Sequence, residues 1–304
     1  MQICVTGGAG FIGSHLVDRL LNEGHRLVVI DNLLRGKKTN IQEHIQNRRM
    51  TFLENDIRDY KFISQAMEGC EVVFHLAAQS NVMGAVENID YSFETNVVGT
   101  FNTLKAARLN NVRRFIFTSS REVYGEADYL PVDEYHPLSS KNTYGASKVA
   151  GEKYCQVFQN MGSFEMVVLR LANVYGERDF DRVIPIFLDR AFNGKNICIY
   201  GGKQVIDFIS VEIIVDALLM ALYNNEFLSG PTNIGSGQGT TLFSLVNRVK
   251  ALTQTKSEVI IEPPRSVEVV KFVADNKRFS KVYQKMVPDD PLYYLPKMIE
   301  KLPE

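Results

Sequence analysis

The sequence predicts an α/β protein: a doubly wound parallel sheet, with a smaller mixed α/β lobe in the C-terminal half. Three observations predict it. Short β-branched runs alternate with helical patterns, several of those runs are apolar on successive residues, and the alternation weakens after about residue 176. Runs such as LVVI and VVF lack the polar-apolar alternation of a half-exposed strand. Both sheet faces should therefore be covered, with the intervening helices as crossovers.

QICVTG is the first strand and FIGSHLVDRLLNEG its helix, and RLVVID is the second strand. MTFLEND is followed by the helical YKFISQAMEG, and EVVFHLAA by SFETNVVGTFNTLKAARLN. RRFIFTSS, the helix TYGASKVAGEKYCQVFQNMG and the strand FEMVVLRLANVYG complete residues 1–176, a Rossmann-type unit. Residues 177–304 should form mainly the smaller lobe, from RVIPIFLDRAFNG, NICIYGG, VDALLMALYNN, TTLFSLVNRVKALT and SEVIIEPP. Segments near 205–220 are expected to return to the main domain, with VIDFISV rejoining the main sheet.

With 304 residues, 45% hydrophobic and 23% charged, the chain can bury a large core. A formal charge of -1 gives no basic face for nucleic acid. Cys4, Cys70, Cys155 and Cys198 are far apart and form no CxxC or Cys/His cluster, so reduced, mostly buried thiols and no metal site are expected. No stretch has the length of a membrane span, and the N-terminus does not read as a leader, so a cytoplasmic protein is expected.

TGGAGFIGSH places Gly7, Gly10 and Gly13 right after the first strand and at the start of a helix. Such a turn lets a pyrophosphate approach the backbone closely, and the helix N-terminus offers it unpaired N–H groups. RLVVID ends in Asp31, where a carboxylate accepts hydrogen bonds from an adenosine ribose and repels a 2′-phosphate. NAD is therefore favoured over NADP, a preference that Arg35 and Lys37 soften. Asp56 and Ile57 in NDIRD are candidates for the adenine, and Ala77 and Ala78 in LAAQS for small residues beneath the cofactor.

TYGASK puts Tyr144 and Lys148 four apart at a helix start, on one face. A phenol titrates near ~10, so using it as a base near neutrality means stabilising the phenolate by roughly 4 kcal/mol, at about 1.36 kcal/mol per pKa unit. A lysine ammonium and a nicotinamide cation together can supply this.

GGAGFIG, LAAQS, Asn96 in ETNVVGT, FTSSREVYG, YGASK and LRLANVYGERD, in this order and spacing, resemble the extended short-chain dehydrogenase/reductase family of nucleotide-sugar epimerases and dehydratases. The resemblance continues through NIGSG and PPRSVEVVKFVADN to about residue 280. It implies NAD in the N-terminal sheet, with Phe11, Ile12, Asn32, Leu76, Asn96 and Thr118 as further contacts, and a nucleoside diphosphate sugar, a UDP-sugar first, in the C-terminal lobe. It implies that Tyr144 takes the proton from a sugar hydroxyl, usually at C4, that Lys148 holds the cofactor ribose and lowers the Tyr144 pKa, and that Ser120 hydrogen-bonds the same sugar oxygen. It also implies substrate contacts from Ser119, Asn173, Arg182, Val183 and Arg265, and a homodimer through the helices around GTFNTLKAARL and TYGASKVAGEKYCQVF.

Two places depart from the family pattern. Ile206 precedes Asp207 where many relatives have an arginine, which leaves Arg265 with more of the diphosphate charge. Arg121 and Glu122 follow Ser120, where 4-epimerases tend to carry small or neutral residues, dehydratases resemble Asp-Glu and decarboxylases Ser-Glu. Glu122 can remove a proton from C5 of a 4-keto sugar. Arg121 stays charged and is no proton donor to a leaving group, but it can bind an anion or orient Glu122. The expected activity is 4-epimerisation by transient oxidation at C4. The alternatives are dehydration, decarboxylation or C5 inversion through Glu122, and, in another class, a non-catalytic NAD-binding regulator.

Overall fold

A computed structural model describes residues 1–300 of the chain. Its main sheet is seven-stranded and parallel throughout, built from Gln2–Thr6, Arg26–Asp31, Met50–Glu54, Val72–His75, Arg114–Ser120, Glu165–Leu171 and Thr232–Ile234. The first three strands run outward in one direction and the next three in the other, so the order reverses between Gln2–Thr6 and Val72–His75. Ligands of open α/β sheets bind at the carboxyl ends of strands beside such a reversal. His75 locks this point: its Nδ1 lies 2.7 Å from Thr6 Oγ1 and its Nε2 2.9 Å from Thr100 Oγ1. Burial pushes its pKa down to about 3, so the ring is a neutral strut.

The successive apolar residues of the strands are explained by their two faces. Ile3, Val5, Val29, Phe74, Ile116 and Val167 pack with the helices Phe11–Asn22 and Val211–Tyr223. Cys4, Val28, Ile30, Val73, Phe115 and Val168 pack, on the other side, with Tyr60–Ala66, Thr100–Leu109 and Thr143–Asn160. The second half of the chain has its own core, in which Phe187 and Leu188 meet Ile197, Phe208, Leu245 and Val249. Cys4, Cys70 and Cys155 are buried free thiols and Cys198 is half-buried. Among the described residues, no helix is long and apolar enough to cross a membrane.

Two expectations need correction. Val205–Ser210 does not rejoin the main sheet; it lies in a four-stranded sheet with Asn173–Tyr175, Gly239–Thr241 and Lys271–Phe272. The strand that completes the main sheet is Thr232–Ile234, while the helix that follows Ser210 does pack on the main core. The physical reason is Asp207, whose buried carboxylate accepts the backbone N–H groups of Ser236, Gly237 and Ala274 and so ties its strand to those loops. Nor is SFETNVVGTFNTLKAARLN one uniform helix: Ile89–Phe93 runs into a π-helical stretch, Glu94–Gly99, before Thr100–Leu109. Such bulges re-aim side chains, and here Asn96 is turned inward.

Replacing Asp207 by Ala strands three buried N–H donors at about 1–3 kcal/mol each. A denaturant melt of D207A is expected to show a loss of at least about 3 kcal/mol, and an unchanged midpoint would contradict this assignment.

Candidate active site

A cleft of about 650 Å³ runs from the glycine turn, across the carboxyl ends of the central strands, to the second half of the chain. At one end, Gly7 to Gly13 fold so tightly that a Cβ on Gly13 would stand 2.1 Å from the Gly7 carbonyl oxygen. The helix starting at Phe11 has no side-chain cap at Gly10, so its first N–H groups face the cleft without an acceptor from the capping residue. A helix N-terminus in this state is an anion site.

Asp31 stands beside it, its carboxylate accepting the N–H groups of Ala9 and Leu33 at 2.9 Å each. A carboxylate has about four lone-pair sites, which leaves room for hydroxyl donors. Burial pushes the Asp31 pKa up, against those backbone bonds. The two nearby cations expected to soften its preference are engaged elsewhere. Arg35 is paired with Asp181 at 2.8 Å, and Lys37 lies 4.4 Å from the ring centre of Phe180.

Asp181 also accepts from Asn81 at 3.0 Å. Although burial pushes it up, the bonds from Asn81 and Arg35 hold the Asp181 carboxyl below the usual range. Three cleft-lining segments, around Arg35, Asn81 and Asp181, are thereby latched across the groove.

The central wall carries the reactive side chains. Asn142 caps the Thr143–Asn160 helix, accepting from Gly145 N at 2.8 Å, and sets Tyr144 and Lys148 on one face. Tyr144 and Ser120 line the cleft together, and Lys148 Nζ donates to the Thr118 carbonyl at 2.8 Å while lying 5.8 Å from the Tyr144 ring centre. Burial pulls Lys148 down to about 8. Burial likewise pushes Tyr144 up to about 12, opposed by the Arg182 charge and the nearby Ser120 hydroxyl. The phenol that the spacing reading lowers is thus raised in the protein alone: desolvation outweighs its neighbours.

Arg121 and Glu122 both line this wall. Arg121 lies 2.7 Å from Glu122 Oε1, Asn142 Nδ2 donates to Oε2 at 2.7 Å, and both Arg121 and Glu122 side chains are largely buried. Arg121 does not face solvent; it orients Glu122.

The other sequence candidates divide. Gly10, Phe11, Ile12, Asn32, Ile57, Leu76, Ala77, Ala78, Thr118, Asn173, Arg182, Val183 and Arg265 all line the cleft. Asp56 and Asn96 are not among its lining residues. Asp56 is held by Asn32 and Arg58, and Asn55 lines the cleft instead. Asn96 bonds the backbone of Gln79 in both directions and the hydroxyl of Ser147, so it braces a loop. The Ser119 hydroxyl is donated to Glu152, itself paired with Arg170.

At the far end, Arg265 stacks 3.7 Å from the ring centre of Tyr200, whereas Arg182, paired with Asp179 at 2.8 Å, stands near the reactive wall with its guanidinium 5.4 Å from the ring centre of Phe11. Ile206 adds an apolar side chain to the cleft lining, and Arg190, which no motif marked, lines the same cleft. Asp181 and Gln79 were also missed. Asn142 carried a signal, an N-cap residue type immediately before a helix.

Does this cleft fit a nicotinamide dinucleotide? Beyond the glycine cradle and Asp31, the buried oxygens Gln79 Oε1, Asn173 Oδ1, Asp179 Oδ2 and Gln204 Oε1 have no partner although their residues line it. Each unpaired polar atom costs about 1–3 kcal/mol, so a polar ligand is the natural complement. The residues fit the group.

Comparison with known proteins bears on the same question. The family described as the NAD dependent epimerase/dehydratase family matches residues 3–235. A putative UDP-glucose 4-epimerase of Methanocaldococcus jannaschii is 40% identical over 285 residues, 91% of this chain and 90% of that protein. The crystal structure of a UDP-glucose 4-epimerase with UDP-glucose from Thermotoga maritima is 35% identical, with a TM-score of 0.86 over 92% of each chain. The dTDP-glucose 4,6-dehydratase DesIV of Streptomyces venezuelae, solved with NAD, is 26% identical, with a TM-score of 0.93 over 99% of this chain and 96% of its own.

If the Asp181 latch helps retain a dinucleotide, D181A should release it several-fold faster in a stopped-flow chase followed by fluorescence. An unchanged release rate would mean that the latch does not gate the groove.

Proposed function

This chain belongs to the NAD dependent epimerase/dehydratase family, and we propose that it is a nucleotide-sugar 4-epimerase, acting on a UDP-sugar, that inverts C4 by transient oxidation and return of hydride. The observation that carries this reading is the grouping of Ser120, Tyr144 and Lys148 on one wall of the cleft that the glycine turn also lines. Tyr144 accepts the C4 hydroxyl proton and later gives it back, and Ser120 orients the same oxygen. Lys148 holds a ribose hydroxyl and its positive charge. When bound, oxidised NAD supplies the hydride acceptor and a second positive charge.

The electrostatics require that second charge. Bringing Tyr144 from about 12 to neutrality takes about 7 kcal/mol at ~1.36 kcal/mol per unit. Even at contact distance, ~4 Å, one ammonium contributes about 4 kcal/mol at an effective dielectric near 20. Lys148 alone is insufficient, so proton transfer is coupled to cofactor occupancy.

The cleft's cations support a diphosphate ligand, with Arg265, Arg182 and Arg190 among its lining residues and the Asn173 amide oxygen unpaired. Residues 1–176, with the returning strand Thr232–Ile234 and the helix Val211–Tyr223, serve as the dinucleotide half, and most of 177–304 as the sugar-nucleotide half. A second reading, dehydration, decarboxylation or C5 inversion, is favoured by the presence of Glu122 in the cleft. It is weakened because each carboxylate oxygen already has a fixed partner, Arg121 on Oε1 and Asn142 on Oε2, which hold the group in one orientation.

We further read the protein as a homodimer. Phe93, Val98, Tyr154, Val157 and Met161, on or beside helices that pack together, expose large apolar side chains. An exposed apolar area of this kind marks an interface. V157D with F93D is expected to shift the mass in light scattering from two chains to one; a monomeric wild type would refute the dimer.

Purified protein given UDP-glucose and no added dinucleotide should form UDP-galactose, by proton NMR. Tyr144→Phe should lower turnover by about 10²–10⁴-fold, the usual worth of a general acid-base group. A silent NAD-binding regulator would show no turnover in the wild type.

A further inference from the structure

We infer that Arg121 determines the outcome of the reaction by occupying Glu122: together with Asn142 it clamps the carboxylate that would otherwise remove the C5 proton of the oxidised sugar. The inference rests on the C4 reading above and concerns what happens to the ketone once it exists.

The 3₁₀ turn that carries Arg121 and Glu122, Arg121–Val123, is capped by Ser120, and Ser120, Arg121, Glu122 and Tyr144 all line the cleft. Glu122 therefore stands at the reacting end of the cleft. Its Oε1 takes the Arg121 guanidinium at 2.7 Å and its Oε2 the Asn142 amide at 2.7 Å. Arg121 is itself held, with its guanidinium 5.8 Å from the ring centre of buried Phe272, and Asn142 is fixed by capping the helix of Tyr144. Neither partner is a mobile surface group.

Held at both oxygens by groups that are themselves fixed, the carboxylate cannot swing toward C5 without giving up a close contact with a cation. An arginine does not lose its proton at any working pH, so titration does not open the clamp. A ketone at C4 acidifies the C5–H bond. A free carboxylate at Glu122 takes that proton, the C–H electron pair moves into the carbonyl as an enolate, and the proton, or a deuteron in heavy water, later returns to C5. With Glu122 clamped, the ketone persists until hydride returns to C4, and the sugar leaves changed at that carbon alone. Arg121 is in these terms a positioning residue, acting through Glu122.

The test compares wild type, R121Q and the double variant R121Q/E122Q with UDP-glucose in heavy water, reading C4 inversion and C5 deuterium by proton NMR and mass. The wild type is expected to invert C4 without deuterium at C5. R121Q is expected to raise the ratio of C5 exchange to C4 inversion at least about tenfold, the lower end of what a hydrogen bond to a charged group contributes. E122Q in that background should abolish the exchange. A merely structural role for Arg121 lowers both rates and leaves the ratio unchanged.

Where R121Q does not fold, R121K keeps the charge without the planar fork and should show exchange between wild type and none-clamped levels. C4 inversion by R121Q or R121K without C5 deuterium overturns the clamp and leaves the epimerase reading intact, as does exchange that survives E122Q. A wild type that exchanges C5 also overturns it. A wild type inert toward nucleotide sugars overturns the C4 reading, and the clamp falls with it.

Discussion

The active site depends on one close approach, between the N-terminus of the Thr143–Asn160 helix and the end of the Arg114–Ser120 strand. Gly145 lies so near the turn after Ser120 that a Cβ there would come within 2.3 Å of the Glu122 carbonyl oxygen. Asn142 stitches the contact by capping the helix with its oxygen and binding Glu122 with its nitrogen. Tyr144 and Lys148 ride on one side of that seam, Ser120, Arg121 and Glu122 on the other. Their relative positions are set by backbone packing, which is stiffer than any side-chain contact.

That seam sits over a sheet whose two faces are both buried, and the sheet explains where the cofactor end lies. Strand order reverses beside Thr6 and His75, and the glycine turn, Asp31 and the Tyr144 helix converge above this reversal. Burial has an electrostatic consequence. It raises the Tyr144 phenol and lowers the Lys148 ammonium, so the ligand-free protein is not poised to abstract a proton. Cofactor charge is thereby part of the base, which ties proton removal to the presence of the hydride acceptor and limits unproductive chemistry.

Much of this was legible in the sequence because it is local. The uninterrupted apolar runs reported strands covered on both faces, the Gly7–Gly13 spacing reported a turn, and the four-residue interval from Tyr144 to Lys148 reported one helical face. What was not legible depends on contacts between distant segments. VIDFISV looks like any apolar strand, and what assigns it to the smaller sheet is the bonding of Asp207 to loops some thirty and seventy residues away. Asn96 sits in a motif but is turned by a π-helical stretch to brace Gln79, and Asp181 is one charge in a charged run until Arg35 and Asn81 meet it. The exposure of Arg121 likewise rested on a partner, since an arginine beside a glutamate in sequence says nothing about whether the two face each other.

The central claim is that C4 is oxidised and then reduced within one binding event, with the proton handled by Tyr144. Its most direct measurement follows UDP-glucose carrying deuterium at C4. The account predicts product UDP-galactose that keeps the label at C4 in the opposite configuration, with none lost to solvent and no keto sugar released. Loss of the C4 label during inversion, or its transfer to C6 as water is expelled and a 4-keto sugar is left, would contradict it.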